Sequence, residues 1–273
     1  MGGAYLTFPE IQQRLLGMLR FVDGICRQEG LTYWLSGGTL LGAVRHQGFI
    51  PWDDDADLMM PRPDYERFLE AAPRYIDDRY DIAHPRSRRD YAMPWARVWD
   101  KGTRVDLTNM VKFGTEMLFL DIFPVDGIPG GRTRQTLRFK RVRLRDILLK
   151  CSRKTDLWQD ERLKWLKRPL MALTSLRSPN VYARMLDRFC SRGRFDRSAH
   201  RGVLVVTHYG ARECMPADVF EGTARVTFCG ESYPAPAGWE TYLSGLYGDY
   251  MQLPPEEKRS SLHLLKARLV GDE

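Results

Sequence analysis

Residues 48–62, GFIPWDDDADLMMPR, set four carboxylates, Asp53, Asp54, Asp55 and Asp57, into five positions and follow them with Leu58, Met59 and Met60. Like charges this close repel, while the apolar run asks for burial, and the two demands conflict unless they fall on different faces. A β-strand separates them, because residues two apart share a face. Over DADLMMP, Asp55 and Asp57 look one way, with Asp53 aligned if the strand begins that early, and Leu58 and Met60 look the other. Asp54 points away from the carboxylate face and suits a turn.

Working outward, LTYWLSGG upstream is short, aromatic and β-prone, which predicts a strand over 31–35 ending at Ser36, Gly37 and Gly38. TLLGAVRHQG follows as a short helix closed by Gly48. The chain before it reads as a helix: Thr7 and Glu10 have capping-box spacing, Ile11, Leu15, Met18, Leu19, Val22 and Cys26 recur at helical intervals, and Gly30 stops it. Downstream, residues 64–80 suit an exposed helix interrupted by Pro73. WARVWDKGTRVDLT and TEMLFLDIFPVDGIP read as strands, the second ending in Asp121, with Asp126 a turn residue before Gly127. Strands alternating with helices predict a mixed α/β, α+β fold. Residues 131–200 are helical in pattern, GVLVVTHYG and ARVTFCGESYPAP resume strand character, and helical turns close the chain. The expected organisation is a catalytic core over 1–130, a basic helical insertion over 131–200, and strands and helices over 201–273 that complete the catalytic domain.

Two carboxylates two apart on a strand suit a hard divalent cation, Mg²⁺ or Mn²⁺, because both side chains leave one face and bind through oxygen. A third acid from a neighbouring strand completes such a site, and Asp121 is the candidate, as metal ligand or as general base. Two ions held about 3.5–4 Å apart stabilise the attacking and leaving oxygens of phosphoryl transfer. Upstream, the Gly37-Gly38 turn at a strand-to-helix junction lets a phosphate approach backbone amides. A Gly-Gly turn, a D-x-D 17 residues later on the next strand, and a further strand-borne acid have the layout of the nucleotidyltransferase fold in the polymerase-beta-like superfamily.

The likeness extends beyond that layout. YWLSGGTLLGAVRHQGFIPWDDDADLMMPRPDYERF resembles the signature of the LicD family, the phosphocholine transferases of bacterial surface glycans, with fukutin-related relatives. FLDIFPVDG and LYGDYMQLPPEEKRSSLH resemble two further blocks of that family, in order, so the similarity runs from about residue 9 to His263 and omits 131–200. It implies a nucleotidyltransferase-like fold with a small mixed sheet. It also implies transfer of a phospho-alcohol from CDP-choline or a similar CDP-alcohol to a sugar hydroxyl of a glycan acceptor, with release of CMP. Carried over by position, Asp55 and Asp57 match the metal-binding D-x-D, Asp53 the first acid of that run, Gly37 and Gly38 the phosphate-turn glycines beside Ser36, and Asp121 the acid of the D-I-F-P block. Ala56 stands where relatives more often have Ile or Val.

Other residues carry two readings. Arg45 and His46 are placed either to contact phosphate or to cap the end of their helix by positive charge. Arg97 is within reach of a phosphate. Lys258, Arg259 and His263 either close over the nucleotide or acceptor or form a solvated basic helix end. Trp34, Trp52, Trp95 and Trp99 are candidates for a cage around a quaternary ammonium, Trp52 foremost because it adjoins the acids.

Composition narrows the rest. No stretch approaches the roughly 20 apolar residues that span a bilayer. MGGAYLTFPE lacks the layout of a secretory signal, so the expected location is the cytoplasm, peripheral at the inner face of the membrane. Five cysteines without a C-x-x-C pair argue against a zinc knuckle and a disulfide scaffold. The net charge is +7, yet residues 132–201 hold 21 Lys and Arg against 6 Asp and Glu, a surplus of 15 that leaves the remainder at −8. That segment is either a docking face for anionic headgroups or a lipid-linked, negatively charged glycan, or a solvated subdomain. A nucleotidyltransferase consuming an NTP and releasing pyrophosphate is the rival enzyme. A basic nucleic-acid-binding protein is the non-enzymatic rival; it leaves the acid run unexplained, and no specific nucleic acid is expected.

Overall fold

The chain opens with a helix whose ends are written into it. In α1 (Phe8–Glu29) the Glu10 carboxylate accepts the Thr7 backbone N–H at 2.7 Å, and Gly30 takes the left-handed conformation (φ 60°) that releases the chain. Ile11, Leu15, Met18, Leu19, Val22, Ile25 and Cys26 form its buried stripe. The computed structural model describes residues 4–106, 117–154, 164–259 and 266–270.

β1 (Trp34–Leu35) leads into α2 (Gly37–His46), then β2 (Asp57–Pro61) and α3 (Arg62–Ala71). β3 (Tyr80–Ala83), β4 (Ala96–Asp100), β5 (Thr103–Val105) and β6 (Leu118–Ile128) follow. The basic segment holds α4 (Arg132–Arg153), α5 (Lys164–Thr174) and α6 (Pro179–Cys190). β7 (His200–Gly202), β8 (Met215–Pro216), β9 (Thr223–Phe228), β10 (Glu231–Pro236), α7 (Trp239–Tyr247) and β11 (Ala267–Leu269) complete the order. The main sheet runs β1-β2-β6-β4-β3, with β7 and β8 extending it from the far half of β6. β2 and β6 are parallel and every other pair is antiparallel, so the expected mixed sheet flanked by helices is present.

Several expectations need correction. β2 begins at Asp57 rather than Asp55, although burial alternates from Asp53 onward: Asp54 and Ala56 are buried, Asp53, Asp55 and Asp57 half-exposed. Gln47, not Gly48, takes the left-handed position that ends α2 (φ 56°). Gly42, inside the helix, is the glycine that packing requires, because a Cβ there would lie 2.5 Å from the Gly48 carbonyl oxygen. Asp121 does not end its strand. β6 continues through Pro124 to Ile128, all eleven residues buried. Pairing to β4 stops at Ile122, so on that side the missing proline N–H interrupts no ladder.

Asp126 is therefore a buried strand residue and not a turn. Its carboxylate accepts two bonds from Arg62 (Nε 2.7 Å, Nη2 2.8 Å), and Arg62 Nη1 reaches Asp187 of α6 at 2.7 Å. The network staples the helices of the basic segment to the sheet. Val142 and Leu149 of α4 and Ala183, Leu186, Phe189 and Cys190 of α6 belong to the same apolar core as α1 and β6. GVLVVTHYG is strand only at its first residue: Val203, Leu204 and Val205 are buried without a ladder. None of the described helices is long and apolar enough to cross a membrane.

Candidate active site

Three strands bring the site together in one row. Asp57 at the start of β2 is in register with Asp121 of β6, and Asp121 with Arg97 of β4. Backbone bonds pin that row: Asp121 N–H donates to Ala56 C=O at 3.1 Å and Ser36 N–H to Asp57 C=O at 3.0 Å. Thr39 Oγ1 accepts Asp57 N–H at 2.8 Å, tying α2 to the acids. Gln12 of α1 holds the acid run from behind, Nε2 to Asp53 C=O at 3.0 Å.

The glycine turn closes against the carboxylates. A Cβ on Gly37 would lie 3.6 Å from Asp57 Oδ2, and one on Gly38 would lie 3.0 Å from Asp53 Oδ2. Gly37 is also left-handed at φ 49°, which glycine adopts without cost. The turn at the start of α2 and the acid run, 15 or more residues apart, thus share one pocket wall.

Electrostatics single out Asp57. Burial raises its proton affinity well above the usual carboxylate range, Asp55, Asp121 and Asp53 raise it further, and Arg97 opposes them. Converging carboxylates on a half-buried wall are a donor set for a hard cation, so the residues fit Mg²⁺ or Mn²⁺ in chemistry and in strand register. Among the described residues no three His, Cys, Asp or Glu side chains stand close enough to hold an ion as they are. Coordination would take these side chains out of their present rotamers.

Arg97 and Asp121 are bound to each other. Arg97 Nε donates to Oδ1 at 2.5 Å and Nη2 to Oδ2 at 3.1 Å, while the guanidinium lies 3.7 Å from the centre of the Phe119 ring. Arg97, expected to reach a phosphate, is buried and committed to Asp121. Arg153, at the end of α4, is half-buried nearby. Its guanidinium is pushed down to about 10 by burial first and then by Arg97.

A second wall comes from the C-terminal quarter. Arg45 donates to the carbonyls of Tyr250 and Gln252 at 3.0 and 3.3 Å, so it holds the chain after α7. His46 meets Trp52 edge-on with ring centres 6.2 Å apart, and the Arg259 guanidinium lies 5.8 Å from the centre of the same Trp52 ring. Lys258 ends a short 3-10 turn, and His263 lies outside the described residues. Of the four tryptophans, Trp52 alone sits beside the acid run. Trp34 is core, donating to Thr223 Oγ1 at 3.0 Å, Trp95 packs on Phe123 and Trp99 on Tyr91.

The tyrosines escaped the sequence reading. Tyr209 and Tyr247 share a hydroxyl contact of 2.9 Å, Tyr242 OH lies 3.3 Å from Ser36 Oγ, and a Cβ on Gly37 would lie 3.6 Å from Tyr247 OH. Burial pushes Tyr209 and Tyr247 up, and nearby Asp57 adds to it, so both remain hydroxyl donors facing the acids. Tyr247 belongs to the LYGDY block; Tyr209 has no spacing that marks it.

Residues 30–146 match the family described as LicD/FKTN/FKRP, nucleotidyltransferase domain. This stretch of the chain carries the LicD-family nucleotidyltransferase domain. The lipopolysaccharide cholinephosphotransferase LicD of Haemophilus influenzae is 29% identical over 269 residues, 97% of this chain and 99% of that protein. The human ribitol 5-phosphate transferase FKRP is 30% identical over 132 residues, 48% of this chain and 24% of its own length. The LicD match spans β1 through most of α4, which contains the glycine turn, all four acids of the run, Arg97 and Asp121. The fold is accordingly nucleotidyltransferase-like.

Proposed function

We propose that this chain is a phosphotransferase that moves phosphocholine, or a related phospho-alcohol, from a CDP-activated donor to a sugar hydroxyl of a cell-surface glycan. The observation that carries the reading is the glycine turn lying against Asp53 and Asp57, with Asp121 in register beside Asp57. The relatives named for choline-phosphate and ribitol-phosphate transfer support it.

In this reading Asp53, Asp55 and Asp57 would hold Mg²⁺ or Mn²⁺, which when bound would neutralise the diphosphate of the donor, and Asp121 is left to act as the base. The amides of Ser36, Gly37 and Gly38 at the start of α2 bind phosphate oxygens. Asp121 receives the proton of the sugar hydroxyl, whose oxygen forms the new bond to phosphorus, and the bond to the CMP phosphate breaks as CMP leaves. Arg97 positions Asp121 by holding both carboxylate oxygens. Trp52 offers a ring face for a cationic head group, with Arg259 moving off it.

Incubation with labelled CDP-choline, CDP-glycerol and CDP-ribitol, Mg²⁺ and a glycan acceptor tests the reading by CMP release. Release from one of them that depends on acceptor supports it. Consumption of an NTP with release of pyrophosphate, and no CMP from any donor, overturns it in favour of a nucleotidyltransferase.

A further inference from the structure

The surplus of 15 positive charges is not spread evenly. α4 and α6 enclose a surface cavity of about 340 Å³ lined by Arg145, Arg184, Arg188 and Arg192, with Phe189 and Val181 among its apolar lining. Phe189 is stacked by guanidinium groups from more than one side: Arg145 lies 3.9 Å and Arg138 4.7 Å from its ring centre, and Arg192 5.8 Å. Arg138 is committed to the Cys190 carbonyl at 2.7 Å. None of the four lining arginines has a carboxylate partner among the described residues. Burial first, and then neighbouring Arg192 and Arg141, lower the proton affinity of Arg145. Arg62 of α3, by contrast, is buried and meets α6 at the carboxylate of buried Asp187.

Around this cavity the surface alternates charge with exposed apolar side chains. Val181, Arg184 and Arg188 share one face of α6, and Leu137, Arg141 and Leu144 share one face of α4. Exposed Ile147, Leu173 and Leu176 (78% exposed) and Trp165 (75%) come from the same three-helix segment, which holds seven of the thirteen large exposed hydrophobics among the described residues. A nucleic-acid face needs the arginines but has no use for exposed leucines, whereas an interfacial face uses both.

We infer that α4 and α6 form a docking surface for an anionic bilayer, in which the arginine cavity receives a phospholipid phosphate and Leu137, Leu144 and Val181 enter the headgroup layer. The surface is separate from the acid row, and its occupancy does not depend on which reaction the site performs. It would hold the protein where a membrane-bound acceptor is presented.

The test is sedimentation of the full chain with phosphatidylcholine vesicles, with and without phosphatidylglycerol. Binding is expected only with phosphatidylglycerol, falling as salt rises. Each basic residue near an anionic surface contributes a factor of about five, so R184E/R188E should lower partitioning at least roughly 25-fold with an unchanged unfolding temperature. R184Q/R188Q, a milder change, should give a smaller loss and serves where the reversal impairs folding. L137S/L144S should weaken binding without altering its salt dependence. The inference is overturned if the full chain stays in the supernatant with phosphatidylglycerol vesicles at low salt, or if both arginine variants sediment like the parent. It is likewise overturned if duplex RNA binds the same arginines in preference to the vesicles at equal phosphate concentration, or if inorganic phosphate releases the protein where chloride of the same ionic strength does not, which would make the cavity a soluble-phosphate site.

Discussion

At Asp57 folding and chemistry pull in opposite directions. Its ionised form is penalised by burial and by Asp55, Asp121 and Asp53, so Asp57→Asn should stabilise the cation-free protein, on the order of 1–3 kcal/mol. Thermal unfolding in EDTA measures this. The same substitution should lower CMP release by about 10² or more, since it removes charge that faces the reacting diphosphate, and should abolish any rise in unfolding temperature on adding Mg²⁺. Gly38→Ala makes a different prediction. The obstructing atom is the end of a side chain, Asp53 Oδ2 at 3.0 Å, so the fold should tolerate it while the carboxylate is displaced. Activity should fall by on the order of tenfold to a hundredfold with little change in urea midpoint. The acid row was legible at this scale because strand alternation needs only the local sequence. The Arg97–Asp121 pair and the tyrosine hydroxyls were not, because pairing across β4 and β6 and the return of residues 209 and 247 are set by tertiary register.

Among the elements, β6 shows what sequence pattern misses. Pro124, Asp126 and Gly127 are ordinary turn residues, and they belong to the far half of a buried strand because Arg62 satisfies the aspartate and Gly127 packs against the Arg194 backbone, 2.3 Å from a hypothetical Cβ. No local rule places a partner 64 residues away. By contrast α1 was legible in full, since its capping box, apolar period and terminal glycine agree. Truncating Asp187 to Ala leaves Arg62 buried with one carboxylate fewer and should cost about 3–5 kcal/mol, read as a lower urea midpoint. Asp187→Asn should recover part of it by keeping a hydrogen-bond acceptor.

For the whole molecule, buried acids shape the pH response, Glu213 among them beside Asp57 and Asp126. Burial pushes Glu213 up to about 8, against one opposing bond from Val203 N–H. The native state therefore holds a proton that the unfolded chain has released, and stability falls as pH rises from about 4.5 to about 8, with a slope of up to about 1.4 kcal/mol per unit. Below that window both states are protonated and the effect is gone. Glu213→Gln should make the fall across it shallower and leave the part due to Asp57 and Asp126, as followed by urea unfolding at a series of pH values. The mixed α/β class followed from alternating strand and helix patterns; the loss of ladder in residues 203–205 did not, since β-branched residues there are buried by neighbours and not by pairing.

β6 serves two masters along its length. Asp121 faces the acid row, and five residues on, about 17 Å at strand rise, Asp126 grips the arginine that holds α6. Chimeras that exchange the helical segment between relatives should therefore succeed only when the incoming helices bring their own carboxylate to Arg62. Where they do not, the recipient loses the far end of the strand on which its reactive aspartate rides.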